Sequence, residues 1–533
     1  MVTAIISLFS LTSCSTGPCY RSSSKAAGQM GSFYNVRAYG ATGNGKDLDS
    51  PSINKAIDAC AQAGGGTVYF PAGTYLSGSI HLKDNIHLLI DAGATVLGAP
   101  QSMNAYDETE SWPTNNPYQD GGHCYFHNSL IWGVGLTNVS ITGQGMINGG
   151  GMTRNDRLLD RMCGFLAWNR ANTSNGRKVF FPEDDTNAVI DGKYPPVRLG
   201  NKAIALKLCR NVLIRDVTIY HGGHFAILVT GCDNMTVDNV TMDTDRDGID
   251  IDCCKNTVVS NCRINSPFDD GLCPKSSFAL GTNAPTENLT IVNCQVSGYA
   301  EGTLLDGTMK PSRSSTGRIK CGTESNGGFR NITISNCTFR HCRGLALEEV
   351  DGGLMENISI NNITMLDVWE YPIYITMGNR CRGPGATTGT IRNIQISNVI
   401  ATGIDKMSGI QITGVPGHNI EGLRLDNIRM VFNGGGTTND AVRVPKELDK
   451  GYPEPGFIGV MPAYGLFARH VSGLEMQNIN VSFQKDEMRP VMVCDDVNGL
   501  EIDNFKGQTA PGVTPAHFTN VTGLVIRNSP VLQ

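Results

Sequence analysis

The sequence predicts an all-β chain wound as a single-stranded parallel β-helix, with a helix covering its N-terminal end. Three observations carry that expectation: a short pattern recurs, its copies begin about one solenoid turn apart, and the composition suits many strands joined by turns. The pattern reads Asn or Gly, two residues, an aliphatic, one residue, Asn or Asp, a small apolar, one residue, an apolar. It appears as NVLIRDVTI from Asn211, NMTVDNVTM from Asn234, NTVVSNCRI from Asn256, NLTIVNCQV from Asn288, NITISNCTF from Asn331, NISINNITM from Asn357 and NIQISNVIA from Asn393. Weaker copies open at Gly422, Gly473, Gly499 and Gly523. Alternation of apolar and polar residues marks each copy as a strand with one buried face, and the asparagines suit a bend whose side chains bond along a ladder. Asn211, Asn234 and Asn256 are 23 and 22 residues apart. That is the length of one coil, so larger gaps read as loops inserted on the way round.

Composition agrees. Of 533 residues 63 are glycine, 17% are charged and 40% are hydrophobic, which suits a turn-rich β protein with ample core and not a disordered chain. A solenoid grows as one continuous unit, so residues 33–533 are expected to form a single domain despite their number. No apolar run reaches the roughly 18 residues needed to cross a bilayer. A formal net charge of −6 provides no global basic field, so nucleic acid is not an expected partner.

From the N-terminus, MVTAIISLFSLTSC joins a short apolar segment to Leu11, Thr12, Ser13 and Cys14. This resembles the lipobox of bacterial lipoproteins, without the usual basic start, and implies a signal segment over 1–14 with Cys14 as the lipidated residue. Residues 15–32 then read as a linker. An exported protein follows, either a cell-envelope lipoprotein held by that lipid alone or a secreted one. Residues 33–100 read as cap and first coils. In SPSINKAIDACAQAGGGTVYFPAGTY, from Ser50, the residues Ile53, Ala56, Ile57 and Cys60 fall at helical spacing, and three glycines stop the helix before TVYF. Departures from the repeat at 100–128, 152–200, 300–317 and 433–465 are expected to be loops rimming a groove. The 17 cysteines would suggest disulfides in an exported chain. Cys262, Cys294 and Cys337, however, each follow the same asparagine of the repeat and are expected to stack as small buried side chains. Without paired CxxC or Cys/His spacing, no metal site is expected.

Thirteen residues beyond four successive anchors lie His224, Asp247, Asp269 and Glu301. Equal offsets in a regular solenoid mean equal angular position, with neighbouring coils about 4.8 Å apart. Stacked acids repel, and must share protons or bind something positive; a purely structural ladder would use neutral residues. Glycosidic hydrolysis needs such a set, one carboxylic acid for the leaving oxygen and one carboxylate for water, about 6.5–9.5 Å apart when configuration inverts. Repulsion would keep one of them protonated. Asp243, Asp245, Asp247 and Gly248 also match the opening of an EF-hand loop, but Cys254 stands where its bidentate Glu belongs. A looser calcium site, as in a polysaccharide lyase, stays an alternative, as does a carbohydrate-binding solenoid without turnover. His221 and His224 form only a lone HxxH, and His224 is read as a substrate contact or a packed turn residue.

These residues resemble the polygalacturonase-like glycoside hydrolases (glycoside hydrolase family 28). FYNVRAYGATGNGKDLDSPSINKAI, GGTVYFPAGTYLSG, SLIWGVGLTNVSITGQGMINGGG and the repeats carry the likeness over most of residues 33–400. It implies a right-handed parallel β-helix, inverting hydrolysis of pectic polysaccharides, and no cofactor. The family's Asn-Thr-Asp-Gly is matched by Asp245, Arg246, Asp247 and Gly248, and its paired aspartates by Asp269 and Asp270, followed by Lys275. By that match Asp269 is the general acid, and Asp247 and Asp270 hold the attacking water. Two motifs are altered. Arg318-Ile319-Lys320 has the letters of the family's Arg-Ile-Lys, but its downstream text aligns it with the Gly-His-Gly motif, whose histidine becomes Gly317. The Arg-Ile-Lys place holds Ala346, Leu347 and Glu348, which removes a basic clamp on a uronate and adds negative charge. The expected substrate is a pectin-related or otherwise acidic polysaccharide or its oligomers, attacked by an exo rather than an endo mode. Substrate contacts are expected from His224, Lys275, Glu301, Arg318, Lys320 and Glu348.

Overall fold

The computed structural model describes residues 33–110, 123, 125–152, 200–407, 409–447 and 450–532. The proposed signal segment, the linker and Cys14 lie outside these residues, as does most of the 152–200 departure.

Parallel strands stack coil upon coil, as the repeat predicts. One six-stranded sheet is built from Ile80–His81, Ile131–Val134, Lys202–Lys207, Phe225–Thr230, Asp247–Asp252 and Leu272–Lys275. Its inward column is unbroken: Ile80, Ile131, Ile204, Ile227, Ile249 and Leu272 stand in register, and Ile319 continues it. All belong to one apolar core that runs from Val36 to Phe505. Since strand side chains alternate, Asp250 and Asp252, neighbours of the inward Ile249 and Ile251, fall on the outer face.

The asparagine anchors have a backbone reason. Asn256, Asn288, Asn331, Asn357 and Asn393 adopt φ of 52–58°. L-residues other than Asn rarely accept that left-handed geometry, and glycine accepts it freely. Hence the weaker copies carry Gly422, Gly473, Gly499 and Gly523, at φ 61–74°. Each asparagine amide of this row donates to the carbonyl of the preceding one, at 2.6–3.1 Å. A second row, Asn261, Asn293, Asn336, Asn362, Asn398 and Asn427, does the same at 2.6–3.2 Å.

Cys262, Cys294 and Cys337 are buried in successive coils, and the described cysteines are free thiols. Cys209, Cys232 and Cys254 form a second buried row that the repeat did not single out. The expected helix spans Ser50–Gln62 and buries Ile53, Ala56, Ile57 and Cys60 in the same core. It ends where Gly64 and Gly65 turn at φ 96° and 115°.

Candidate active site

Equal offsets do not give equal positions here, because turn lengths differ. Four residues separate Thr218–Tyr220 from the strand at Phe225, whereas three separate Thr241–Asp243 from the strand at Asp247. Asp247 therefore pairs with Phe225 and not with His224. The next turn lengthens again, and the Gly248 N–H donates to the Asp270 carbonyl at 3.0 Å. Asp270 thus stands across from Asp247, with Asp269 one step earlier in the turn.

The three predicted carboxylates still meet. Oxygens of Asp247, Asp269 and Asp270 lie within 4.8 Å of one another. This is closer than the spacing of about 6.5–9.5 Å expected for an acid and base that invert configuration. Asp247 and Asp270 are buried at 3% and 1% exposure, while the Asp269 side chain is 27% exposed.

Neighbours divide the three sharply. Burial drives the Asp247 carboxyl well above the ordinary range, and the nearby charges of Asp269 and Asp250 add to it. Burial acts on Asp270 too, but Lys320 and Arg318 outweigh it and hold that group low. Arg318 Nε donates to Asp270 Oδ1 at 2.7 Å, and Lys320 Nζ bonds Oδ2. For Asp269, burial is overcome by Arg246, whose guanidinium reaches Oδ2 at 2.6 Å. Asp247 is therefore the member whose carboxyl its surroundings push upward, while Asp269 and Asp270 are held low.

The other expected contacts are placed differently. Glu301 is not in the column: the chain leaves the wall after Ser297, bridges Tyr299 to Pro311, and returns at Ile319, so its carboxylate pairs with His221 Nδ1 at 3.1 Å. His224 is buried, its ring edge-on to Phe225 at 4.3 Å. Lys275 is buried between Asp250, at 3.7 Å, and Glu324, at 3.2 Å. Arg318, Lys320 and Glu348 are buried as well; Arg318 and Lys320 bond Asp270, and Glu348 lies 3.9 Å from Arg318. Glu348 has both oxygens without hydrogen-bond partners and is pushed up to about 8, chiefly by burial. Asp243, first of the apparent calcium ligands, instead accepts the Leu304 and Leu305 N–H groups and the Asn265 amide.

Several members were not foreseen. Asp250 joins Asp247 and the Cys273 thiol within 4.8 Å and accepts from His123 Nε2 at 3.1 Å. Strict alternation in DGIDID was the available signal. Glu454 reaches in from the 433–465 loop to Arg318 at 2.5 Å, and Tyr371 Oη bonds the same guanidinium.

With the geometry in view, residues 33–272 match the family model described as Rhamnogalacturonase A/epimerase, pectate lyase-like. An Exo-poly-alpha-D-galacturonosidase of Dickeya chrysanthemi is 26% identical over 249 residues, covering 44% of this chain and 40% of that protein. The chain resembles the polygalacturonase-like family. A hyperthermoactive exopolygalacturonase from Thermotoga maritima shares the fold, a right-handed parallel β-helix, with a TM-score of 0.55 at 21% identity over 75% of this chain and 87% of that one. The same solenoid text also recurs elsewhere: Plasmin and fibronectin-binding protein A of Streptococcus pneumoniae is 31% identical over 208 residues, 38% of this chain and 23% of that protein. Both sequence relatives are matched over less than half their own length. Against the polygalacturonase-like pattern this chain departs at Asp245, Arg246, Gly317, Ala346 and Glu348, and each departure lies in or beside the carboxylate cluster.

Proposed function

We propose that the chain is a glycoside hydrolase that cleaves O-glycosidic bonds in a pectin-related polysaccharide or its oligomers by single displacement, in an exo mode. One observation carries the reading: three carboxylates from neighbouring turns converge within 4.8 Å with unequal proton affinities. At that distance the proton belongs to the cluster and not to one residue. It rests on Asp247. Asp269, the most exposed of the three, is the carboxyl a leaving oxygen can reach, so it delivers the proton once Arg246 releases it. Proton transfer from Asp247 to Asp269 leaves Asp247 anionic beside Asp270, and that pair receives the proton of the attacking water. The short spacing suits a water gripped by two carboxylates from one side. The exported location and the Cys14 anchor belong to the same proposal.

The test is nuclear magnetic resonance of pectic oligosaccharides during turnover. Net hydrolysis with the inverted anomer appearing first is expected, and Asp269→Asn is expected to lower kcat by about 10²–10⁴. First release of the retained anomer would exclude single displacement, and a double bond in the product would establish a lyase. The likeness to the plasmin and fibronectin-binding protein supports a second reading, binding without turnover, under which Asp269→Asn leaves ligand capture intact.

A further inference from the structure

On the side of the aspartates that faces the C-terminal coils, each described cation near Asp270 already has a carboxylate. Lys320 holds Asp270, Lys275 holds Glu324, and Arg318 holds Asp270 through Nε. Arg318 Nη1 bonds Tyr371 Oη, and Nη2 donates to Glu454 Oε1 at 2.5 Å. The other Glu454 oxygen accepts from Arg343 Nη1 at 2.8 Å, and Arg343 also binds Glu370 at 2.8 Å. One carboxylate thus spans two guanidinium groups beside the reacting cluster, which is how a bound sugar carboxylate would sit. Arg318 is fully buried, and the Glu454 side chain is 14% exposed. Arg318 is closed off behind the glutamate, and Arg343, whose side chain is 23% exposed, is already bound by Glu454 and Glu370. Behind it, Glu348 adds a second acid, 3.9 Å from Arg318. Arg313, an exposed cation, lies over the ring of Phe268, next in sequence to Asp269.

We infer that Glu454 is a built-in carboxylate filling the anion seat next to Asp270, so the sugar accepted on that side of the scissile bond is uncharged. A neutral or esterified unit fits, and a free uronate is repelled. The inference rests on the hydrolase reading for the words scissile bond, but binding alone tests it.

Calorimetry at low salt would compare short oligogalacturonates with their methyl esters, on the full chain and on Glu454→Gln and Glu454→Ala. The wild type is expected to bind the ester at least tenfold more tightly, and both variants to narrow or reverse that ratio by at least tenfold. Equal or tighter wild-type binding of the free acid overturns the inference, as does an unchanged ratio in folded variants or no binding of either ligand. The wild-type ratio needs no variant to fold. Ester preference without turnover defeats only the hydrolase reading, whereas turnover without ester preference defeats only this one.

Discussion

Arg246 decides which carboxyl of the cluster keeps its charge. Its bond to Asp269 opposes the burial that would otherwise raise that group, so removing it raises the pKa of Asp269. If Asp269 delivers the proton, Arg246→Thr moves the alkaline limb of the kcat/KM against pH profile upward; an unmoved limb would take that role from Asp269. Glu348 offers a separate check through stability. Its carboxyl sits at about 8 in the native chain against an ordinary 4.5, so the folded state holds a proton that the unfolded state has lost between those values. Unfolding then releases a proton, and stability falls as pH rises through that window. Glu348→Gln, neutral throughout, is expected to match the wild type near pH 5 and to melt at higher temperature than it at pH 9. A wild-type advantage at pH 9 would refute the buried-acid account. Asp247, Asp269 and Asp270 were legible because acids interrupt a pattern built from neutral residues. Glu454 was not, since it arrives from a loop outside the period and only folding brings it to Arg318.

At the scale of the element, the coil was legible and its turns were not. Anchor asparagines mark the left-handed bend, and their alternation with glycine has a single steric cause. Strand register followed from the inward aliphatic column. The counting failed where one turn held four residues and the next three, because a repeat read from one wall says nothing about residues spent in the corner. Glu301 was misplaced because the chain leaves the wall after Ser297 and returns only at Ile319. The ladder itself can be probed at Asn293, which donates to Asn261 and accepts from Asn336, both at 3.2 Å, with φ at 58°. Asn293→Ala loses the two bonds and strains the backbone, at a cost of about 1–3 kcal/mol in urea unfolding. Asn293→Gly loses the bonds without the strain and is expected to cost less. Equal losses would mean that the bend conformation contributes nothing.

Across the whole molecule the cluster sits in middle coils, flanked on both sides by stacked neighbours, and stability in a solenoid is close to a sum of such nearest-neighbour contacts. The two described ends are finished unequally. The helix Ser50–Gln62 seals a fully buried apolar row into the first coils. At the other end Phe518, Val521 and Ile526 are only partly buried against the core, as are Val531 and Leu532 of the short turn Pro530–Leu532. Local opening follows such differences in burial. Amide hydrogen exchange is therefore expected to be fastest in Ala516–Arg527, slower in the helix and first coils, and slowest in the strands Phe225–Thr230, Asp247–Asp252 and Leu272–Lys275, where the aspartates are held. Mass spectrometry of peptides from these segments gives the order directly. Should the aspartate-bearing strands exchange as quickly as the last coil, the cluster would not be the rigid, preorganised array that charge division among three carboxyls requires, and the assignment of separate roles to Asp247, Asp269 and Asp270 would lose its physical basis.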